Sequence, residues 1–385
     1  LFAENVHGAW FKRLRDEAPV HFCPESETGP YWSVTRYQDI QRVDTSHDIY
    51  SSEPIILIRD PFEDFTLPMF IAMDPPLHEA QRNVVQPVVA PANLQNFEPI
   101  IRERTIDVLD HLPVGEAFDW VNRVSIELTT RMLATLFDFP FERRARLTYW
   151  SDVSTAIPGM GLIETQDEGR QILLECLEEF TELWNQRVNA PPSNDLVSML
   201  AHGESTRNMA PLEYLGNLVL LIVGGNDTTR NTMSASVLAL HENPDQFAKL
   251  VAKPELIPSM VSETIRWQTP LSYMRRTAKV DAELGGETIR AGDKVIMWYV
   301  SGNRDERAFD RPNDFIIDRR DVRKHIAFGF GIHRCMGNRL AELQLRVLWE
   351  EILQRFERIE VVGEPERVMS NFVHGYTRLP VVLHA

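Results

Sequence analysis

Cysteine is scarce in this sequence of 385 residues, which contains only Cys23, Cys176 and Cys335. The three lie far apart and form no C-x-x-C pair, so the sequence supports neither a zinc site nor a disulfide framework. Cysteine usage of this kind is typical of proteins in a reducing compartment. We therefore expect a cytoplasmic protein.

Basic charge and long apolar runs are also lacking. The 40 Lys and Arg residues against 56 Asp and Glu give a formal charge of −16, which argues against a nucleic-acid partner because phosphate binding needs a basic face. The apolar run 218–223 ends at Gly224, far short of a membrane span, and the first fifteen residues lack a signal peptide's apolar core. No linker divides the chain, so we expect a monomer with one domain, residues 1–385. Because the chain opens with Leu1 rather than Met, we also expect a missing upstream segment.

The most informative stretch that is present is 328–337, F-G-F-G-I-H-R-C-M-G, which directly precedes a helical pattern. It indicates a tight loop that presents the Cys335 thiolate at a helix N-terminus. The helix dipole and Arg334 favour the anionic sulfur, while Gly331 and Gly337 leave room for a flat ligand to approach the backbone. Such a thiolate suits a metal, and a haem iron in particular. The alternative is an inert buried cysteine.

A second stretch, M-D-P-P-L-H-E-A-Q-R, begins a predicted helix on which His78 and Arg82 fall at i and i+4. Two hydrogen-bond donors therefore share one helix face, an arrangement that suits the buried carboxylates of a ligand. The alternative is an exposed pair, which the spacing alone favours.

A third stretch places Gly224 and Gly225 inside a predicted helix of about residues 212–242. Each glycine costs about 1 kcal/mol relative to alanine in a helix interior, so something must compensate. Either ligand space with a local opening of the helix, or close helix packing, would do so. Thr228 shares a face with the glycines and Asp227 lies beside it, and an acid with a hydroxyl can form a proton relay. Alternatively, Thr228 bonds back to a helix carbonyl.

A fourth stretch carries Glu263 and Arg266 at i and i+3 in a helix that Pro270 ends. The two side chains can form an ion pair, worth under roughly 1 kcal/mol if exposed.

Together, these motifs and their order resemble the cytochromes P-450. The spacing F-x-x-G-x-H-x-C-x-G resembles the family's haem-binding signature, which usually has Arg where His333 stands. The resemblance implies a mainly α fold with small β-sheets, in which haem b lies between the long central helix and the helix behind the cysteine loop. It also implies Cys335 as the axial thiolate ligand of the iron, and O2 as co-substrate.

The resemblance assigns roles to further residues of this chain. It implies that Asp227 passes protons from solvent during oxygen activation and that Thr228 steadies the oxygen bound at the iron. Haem contacts, including those to the propionates, are implied for His78, Arg82, Gly224, Arg276, Phe328, His333 and Gly337, with Arg275 competing for the place of Arg276. The pair Glu263 and Arg266 is structural in the family. Many members add an arginine from a P-x-R-F segment, which reads P-N-D-F here, so Arg311 or Arg319 must substitute for it.

The wording G-G-N-D-T-T-R-N and G-I-H-R-C-M-G-N-R-L-A resembles the bacterial terminal alkane hydroxylase branch, which oxidises the end methyl of medium-chain alkanes and, in some members, fatty acids. The candidate pocket residues are all apolar, with plain core packing as the alternative. They are Ile58, Leu67, Met69, Leu221, Val223, Leu271, Met274, Phe372 and Val373. Two competing hypotheses are a hydroxylase of a cyclic, terpene-like substrate and a non-catalytic haem-thiolate sensor or carrier.

The electrons must come from outside, because the chain has no flavin or iron–sulfur motif. Residues 318–346 contain seven Lys and Arg against three acids, a local charge of +4 in an acidic protein. We expect an acidic ferredoxin, reduced from NAD(P)H by its reductase, to dock on the cysteine side. The docking candidates are Arg323, Lys324, Arg334 and Arg339, with a generic solvated face as the alternative.

Overall fold

The computed structural model describes residues 1–61 and 65–385, and most of them are helical. In this part of the chain the α-helices are α1 (His7–Glu17), α2 (Tyr37–Thr45), α3 (Leu77–Val85), α4 (Pro91–Asp110), α5 (Glu127–Phe137), α6 (Ala145–Thr155), α7 (Gln166–Val188), α8 (Leu196–His202), α9 (Pro211–Glu242), α10 (Pro244–Ala252), α11 (Ile257–Gln268), α12 (Tyr299–Gly302) and α13 (Asn338–Arg355). A π-helical turn, Val121–Ile126, leads directly into α5.

The β-strands are short and form small sheets. They are β1 (Val20–Cys23), β2 (Tyr31–Val34), β3 (Tyr50–Ser51), β4 (Ala117–Asp119), β5 (Met274–Ala278), β6 (Ala282–Leu284), β7 (Glu287–Ile289), β8 (Lys294–Met297), β9 (Arg358–Val361), β10 (Glu366–Arg367), β11 (Tyr376–Arg378) and β12 (Pro380–His384). The largest sheet has the order β1-β2-β8-β5-β3, in which only β2 and β8 run parallel. The runs 20–22 and 31–35 are rich in β-forming residues and flank the turn-forming residues 27–30, which predicts a small hairpin. The structure confirms it as β1 and β2.

The five-stranded sheet separates two groups of side chains because successive residues of a strand point to opposite faces. On one face, Val295 and Met297 pack with the apolar side of α2. On the other face, Tyr273, Ile296 and Trp298 pack with α1. This alternation along β5 decides which of its arginines can face the functional site.

The central helix α9 is 32 residues long and is buried along most of its length between α5, α6, α11 and α13. Its existence and bounds match the predicted helix, but the expected local opening was wrong, since helical structure runs without a break from Pro211 to Glu242. Pro158, Gly159 and Gly161 predict an interruption of the helical pattern at residues 151–161. The structure has this break at residues 156–165, because α6 ends at Thr155 and α7 begins at Gln166.

A buried histidine near the C-terminus gives the fold a specific acid sensitivity. His374 Nδ1 lies 2.6 Å from the Gln268 carbonyl oxygen, whereas Nε2 has no hydrogen-bond partner within the described ranges. Burial is the main cause that lowers the pKa of His374 to about 3. In the unfolded chain the value is about 6.5.

We expect wild-type stability to fall as the pH drops from 6.5 toward 3. In this window the unfolded chain binds a proton at His374 that the folded protein excludes, so the contribution present above pH 6.5 is progressively lost. At pH 4.5 the loss is about 3 kcal/mol, from about 1.4 kcal/mol per unit. Urea unfolding at pH 7.5 and 4.5 should show a smaller loss for His374→Gln than for wild type. His21→Gln, on the exposed side of β1, is the control, and equal losses in all three proteins would contradict the assignment.

Candidate active site

The cysteine loop is fixed by backbone contacts before α13 begins. A short 3₁₀ turn, Gly331–His333, precedes Cys335, whose N–H donates to the Phe328 carbonyl at 2.8 Å. This bond closes the loop onto itself and fixes the backbone from which the sulfur projects.

The Cys335 sulfur is accessible, although it lies deep among protein atoms. That environment raises the pKa of the Cys335 thiol. Backbone N–H donors of Gly337 and Asn338 and the charges of Arg82 and Arg334 lower the same pKa and offset part of this effect. Donors of this kind stabilise a thiolate, which is the form that ligates metal.

The two adjacent glycines of α9 serve different purposes. A Cβ added at Gly224 would meet no neighbour within 4 Å, whereas one at Gly225 would lie 2.8 Å from Leu133 Cδ2 on α5. Gly225 therefore permits close helix packing, and Gly224 leaves the backbone bare. The Thr228 hydroxyl donates to the Gly224 carbonyl at 3.0 Å, which is the bond back to a helix carbonyl expected as the alternative from the sequence. The same bond places Thr228 on the bare face.

Asp227 points away from that face. It is fully buried, and its Oδ1 accepts hydrogen bonds from Ser151 Oγ at 3.0 Å and Asn226 Nδ2 at 3.1 Å. Arg230 lies 3.0 Å from the same oxygen and also pairs with Asp152 of α6. Oδ2 has no partner among the residues described. Burial raises the pKa of Asp227, so this carboxyl can hold a proton closer to neutral pH than an exposed one.

The predicted donors of α3 and the cysteine loop lie together. The rings of His78 and His333 are 4.0 Å apart between centroids, and none of their four nitrogens has a partner within the described part of the chain. Burial first, and then the charges of Arg82 and Arg276, lower the pKa of both histidines. Arg82 itself is held by a 2.6 Å bond from Nη2 to the Arg334 carbonyl. Buried nitrogens without partners need an acceptor, and the carboxylates of a ligand would provide it.

The structure separates the two neighbouring arginines of β5. Arg276 lies on the α2 face, where it donates to Asp44 Oδ1 at 2.7 Å and is close enough to His78 and His333 to lower their pKa. Arg275 points to the opposite face and donates to Asp60 at 2.9 Å. Of the two alternatives left open by the sequence, the geometry favours Arg276.

Glu263 and Arg266 form a buried double hydrogen bond at 2.7 and 2.8 Å. Arg319 is the third member, with its Nε 3.0 and 3.1 Å from the two Glu263 oxygens. Arg311 instead pairs on the surface with Asp310 and Asp314. Arg319, and not Arg311, therefore takes the place of the family's third arginine.

The nine candidate pocket residues fall into separate groups. Leu67, Leu221 and Val223 are half-buried against the helical core around α9, and Met274 lies on the α2 face of the sheet. Ile58 belongs to the α1-side cluster, where its N–H donates to the Tyr273 hydroxyl. Leu271 and Val373 form an isolated antiparallel β-bridge. The centroid of the Phe372 ring lies 5.3 Å from that of Tyr273, and Met69 is half-buried.

The four predicted docking cations are exposed, and none forms an ion pair with a carboxylate in residues 1–61 or 65–385. They are Arg323, Lys324, Arg334 and Arg339. Arg323 and Arg339 border a groove of about 340 Å³ between α4, α11 and α13. Glu98 and Glu342 line the same groove, so this face of an acidic protein carries an excess of positive charge and not positive charge alone.

The donor set fits a haem. The thiolate loop would supply the axial iron ligand, the orphaned imidazoles with Arg82 and Arg276 would hold the two propionates, and the bare backbone at Gly224 would face the macrocycle. These features define a haem protein of the cysteine-thiolate class. The family model described as Cytochrome P450 matches residues 158–377. With the relatives below, this shows that the chain belongs to the cytochrome P450 family.

Several proteins with names or solved structures are similar over nearly the whole chain. "Linalool 8-monooxygenase" of Pseudomonas putida is 35% identical, with 100% of this chain and 97% of the relative covered. "Methyl-branched lipid omega-hydroxylase" of Mycobacterium bovis is 32% identical, with 98% and 91% covered. "CYP153D17 from Sphingomonas sp. PAMC 26605" is a solved structure that is 49% identical, with a TM-score of 0.94 and coverages of 100% and 97%. "Cytochrome P450-153 from Novosphingobium aromaticivorans" is 48% identical, with a TM-score of 0.93 and the same coverages.

The predicted fold class, the haem b cofactor with thiolate ligation and the use of O2 are confirmed by this membership. P450 enzymes are monooxygenases that receive electrons from redox partners. Within the described part of the chain, every helix is too short or too polar to cross a bilayer.

Sequence reasoning missed Asp44, Ser151, Asp152 and Arg230. A signal for Asp44 was present, because it falls on the apolar stripe of α2 that also contains Ile40 and Val43. A charged residue at a core-facing position is buried only when it is paired.

Proposed function

We propose that this protein is a terminal hydroxylase of medium-chain alkanes or fatty acids. One atom of O2 enters the end C–H bond to give a primary alcohol, and the other leaves as water with two electrons and two protons. When bound, the haem supplies the oxygen activation. The chain's own residues hold the substrate, deliver protons and receive the electron donor.

The main support is the uniformly apolar chemistry of the proposed wall. An alkane offers nothing to hydrogen-bond, so its position must be set by shape. Leu67, Leu221 and Val223 are half-buried in the apolar cluster around α9. Leu221 precedes the bare backbone of Gly224 by about one helical turn, where it can restrict the approach of a chain end. Each tenfold preference for the terminal carbon needs about 1.4 kcal/mol in the transition state. One or two well-placed methyl contacts supply that amount, at roughly 0.8 kcal/mol per buried group. The relative named as an omega-hydroxylase is in line with this proposal.

A second candidate is the competing hypothesis from the sequence, the hydroxylation of a cyclic, terpene-like substrate. One observation favours a terpene, the 35% identity to a linalool 8-monooxygenase, but linalool is an open-chain molecule and does not support a ring. Linalool carries a hydroxyl group, however, and none of the nine candidate wall residues has a side chain that could bond it. The non-catalytic sensor or carrier is not retained, because the family match and the named relatives support a monooxygenase.

Product analysis separates the two substrate classes. Octane, octanoic acid and limonene are each supplied with a surrogate bacterial ferredoxin, its reductase and NADH. We expect mainly 1-octanol from octane. Leu221→Ala is a shape variant, and a larger share of 2-octanol is expected from it because the wall beside α9 recedes. Octane left untouched or attacked mostly within the chain, together with clean turnover of limonene, would contradict terminal hydroxylation.

The buried carboxyl of Asp227 gives a further prediction. Asp227→Asn removes the group that we propose to deliver protons, so turnover is expected to fall by about 10²-fold, the lower end for general acid–base catalysis. Asp152→Asn is the control, because it removes the other carboxylate partner of Arg230 and leaves the proton donor in place. Stopped-flow and steady-state turnover should show a much smaller effect in the control. Equal losses would assign the effect to the contact between α6 and α9.

The basic face predicts how the electron donor binds. Changing Arg323, Lys324 and Arg339 together to glutamine should weaken ferredoxin binding at low ionic strength and remove most of its salt dependence, because the steering charges are lost. The measurement is the ferredoxin concentration for half-maximal reduction at several salt concentrations. Arg13, Arg290 and Arg358, exposed at other places, give a matched triple control. Unchanged kinetics at low salt in the first triple variant would rule out this face.

A further inference from the structure

Asp44, at the C-terminal end of α2, is a buried carboxylate that the family motifs did not indicate. It is 3% exposed and joins three separate parts of the chain. Its Oδ1 accepts from Arg276 Nη2 at 2.7 Å. Its Oδ2 accepts from the Tyr299 hydroxyl at 2.8 Å and from the Phe330 backbone N–H at 2.7 Å.

These three donors converge on one group that can only accept. A neutral amide would present an N–H₂ to at least one of them, so Arg276 or Phe330 would lose its partner. An ionised carboxylate satisfies all three at once. The charge-assisted bond to Arg276 is also the stronger type of hydrogen bond.

The cysteine loop rests directly on this residue. A Cβ at Gly331 would lie 2.4 Å from the Asp44 carbonyl oxygen, and one at Gly329 would lie 3.3 Å from Oδ2. Both glycines have positive φ, 66° and 67°, which L side chains rarely adopt. The loop that carries Cys335 therefore fits closely against Asp44. The contacts are made by Gly329 and Gly331, which precede Cys335 by six and four residues.

Asp44 also controls charge near the ligand-binding histidines. Arg276 is close enough to His78 and His333 to lower the pKa of both, and Asp44 is the only carboxylate that the described residues place in an ion pair with it. With Asp44 ionised the pair is neutral overall. Without that charge, the surroundings of Arg276 would be more positive by one unit in a low-dielectric region.

We propose that Asp44 is a positioning residue of the haem site, which holds Arg276 and the cysteine loop in a fixed relation and sets the reduction potential of the haem. This inference rests on the haem-thiolate site and is independent of the substrate. It can therefore fail while terminal hydroxylation stands, and it can stand while terminal hydroxylation fails. Burial, hydrogen bonds to the sulfur and nearby charge are the means by which a protein tunes such a potential.

Three variants separate charge from geometry. Asp44→Asn removes the negative charge and leaves one donor unpaired. Tyr299→Phe removes one hydrogen bond to the same carboxylate and leaves the charges unchanged. The double variant Asp44→Asn with Arg276→Gln removes both members of the ion pair. Each is prepared with haem bound, and the measurements are the reduction potential by spectroelectrochemistry and the thiolate-ligated fraction of the ferrous carbon monoxide complex.

We expect Asp44→Asn to raise the reduction potential, because the loss of a negative charge near the haem favours the reduced state, and to lower the thiolate-ligated fraction. Tyr299→Phe should keep the wild-type potential, and the double variant should return toward it. An unchanged potential in Asp44→Asn, or an equal shift in Tyr299→Phe, would overturn the proposal. If Asp44→Asn does not fold, Asp44→Glu keeps the charge but displaces it. It should keep the potential and release haem faster, and wild-type release would likewise overturn the assignment.

Discussion

Replacing Glu263 by glutamine is expected to lower the free energy of unfolding by about 3–5 kcal/mol, the usual cost of removing one partner from a buried ion pair. Glu263 and Arg266 are fully buried, and Arg319 is nearly so. Among the described residues, Glu263 is the carboxylate that pairs with both guanidinium groups. The Ile316 N–H, which donates to Glu263 at 2.9 Å, keeps an acceptor in the glutamine variant. The expected loss therefore comes from charge and not from the backbone contact.

Urea unfolding followed by tryptophan fluorescence checks this expectation. The matched control is Asp281→Asn, which breaks an exposed pair with Arg290 and should leave the unfolding midpoint almost unchanged. If the midpoint for Glu263→Gln were as close to wild type as that of the control, the buried contact of Glu263 with Arg266 and Arg319 would not stabilise the fold as expected.

Changing Cys335 to serine is expected to abolish hydroxylation while the chain still folds. Serine can fill the space of the cysteine, but it does not supply an anionic sulfur to the iron, and the oxygen chemistry of this family depends on that ligand. Product formation should fall below detection in a reconstituted assay. The Soret band of the ferrous carbon monoxide complex should lose its thiolate form.

The control for this substitution is Cys176→Ser. Cys176 is fully buried in the apolar cluster around α7, where burial raises the pKa of its thiol. Serine there should reduce stability, because a hydroxyl is buried among apolar groups, while the thiolate band remains. Retention of the thiolate band in Cys335→Ser would show that another group ligates the iron.

The sequence was sufficient for the features that depend on local order. The glycine pattern around Cys335 predicted a loop that delivers a thiolate to a helix, and the hairpin of β1 and β2 followed from alternation around a turn. The two glycines of α9 were recognised as unusual. Their division into a packing residue and a bare one was not predictable, because it depends on Leu133, about ninety residues earlier, which meets only Gly225.

Contacts between distant segments account for what was missed. Asp44 is 232 residues from Arg276 and 286 from Phe330 along the chain, so no spacing rule connects them. The choice between Arg311 and Arg319 was open for the same reason. The two arginines are eight positions apart in one loop, and only the fold shows that the Arg319 side chain points inward to Glu263.

The contact of Asp227 with α6 has a consequence for the timing of the reaction. Ser151 and Asp152 both belong to α6, the helix that precedes the connection at residues 156–165. Displacement of α6 would take a hydrogen bond from the Asp227 carboxyl and a counter-charge from Arg230 together. The acid strength of the proposed proton donor is therefore mechanically coupled to the docking of α6, so the carboxyl has one proton affinity when the helix is seated and another when it is lifted.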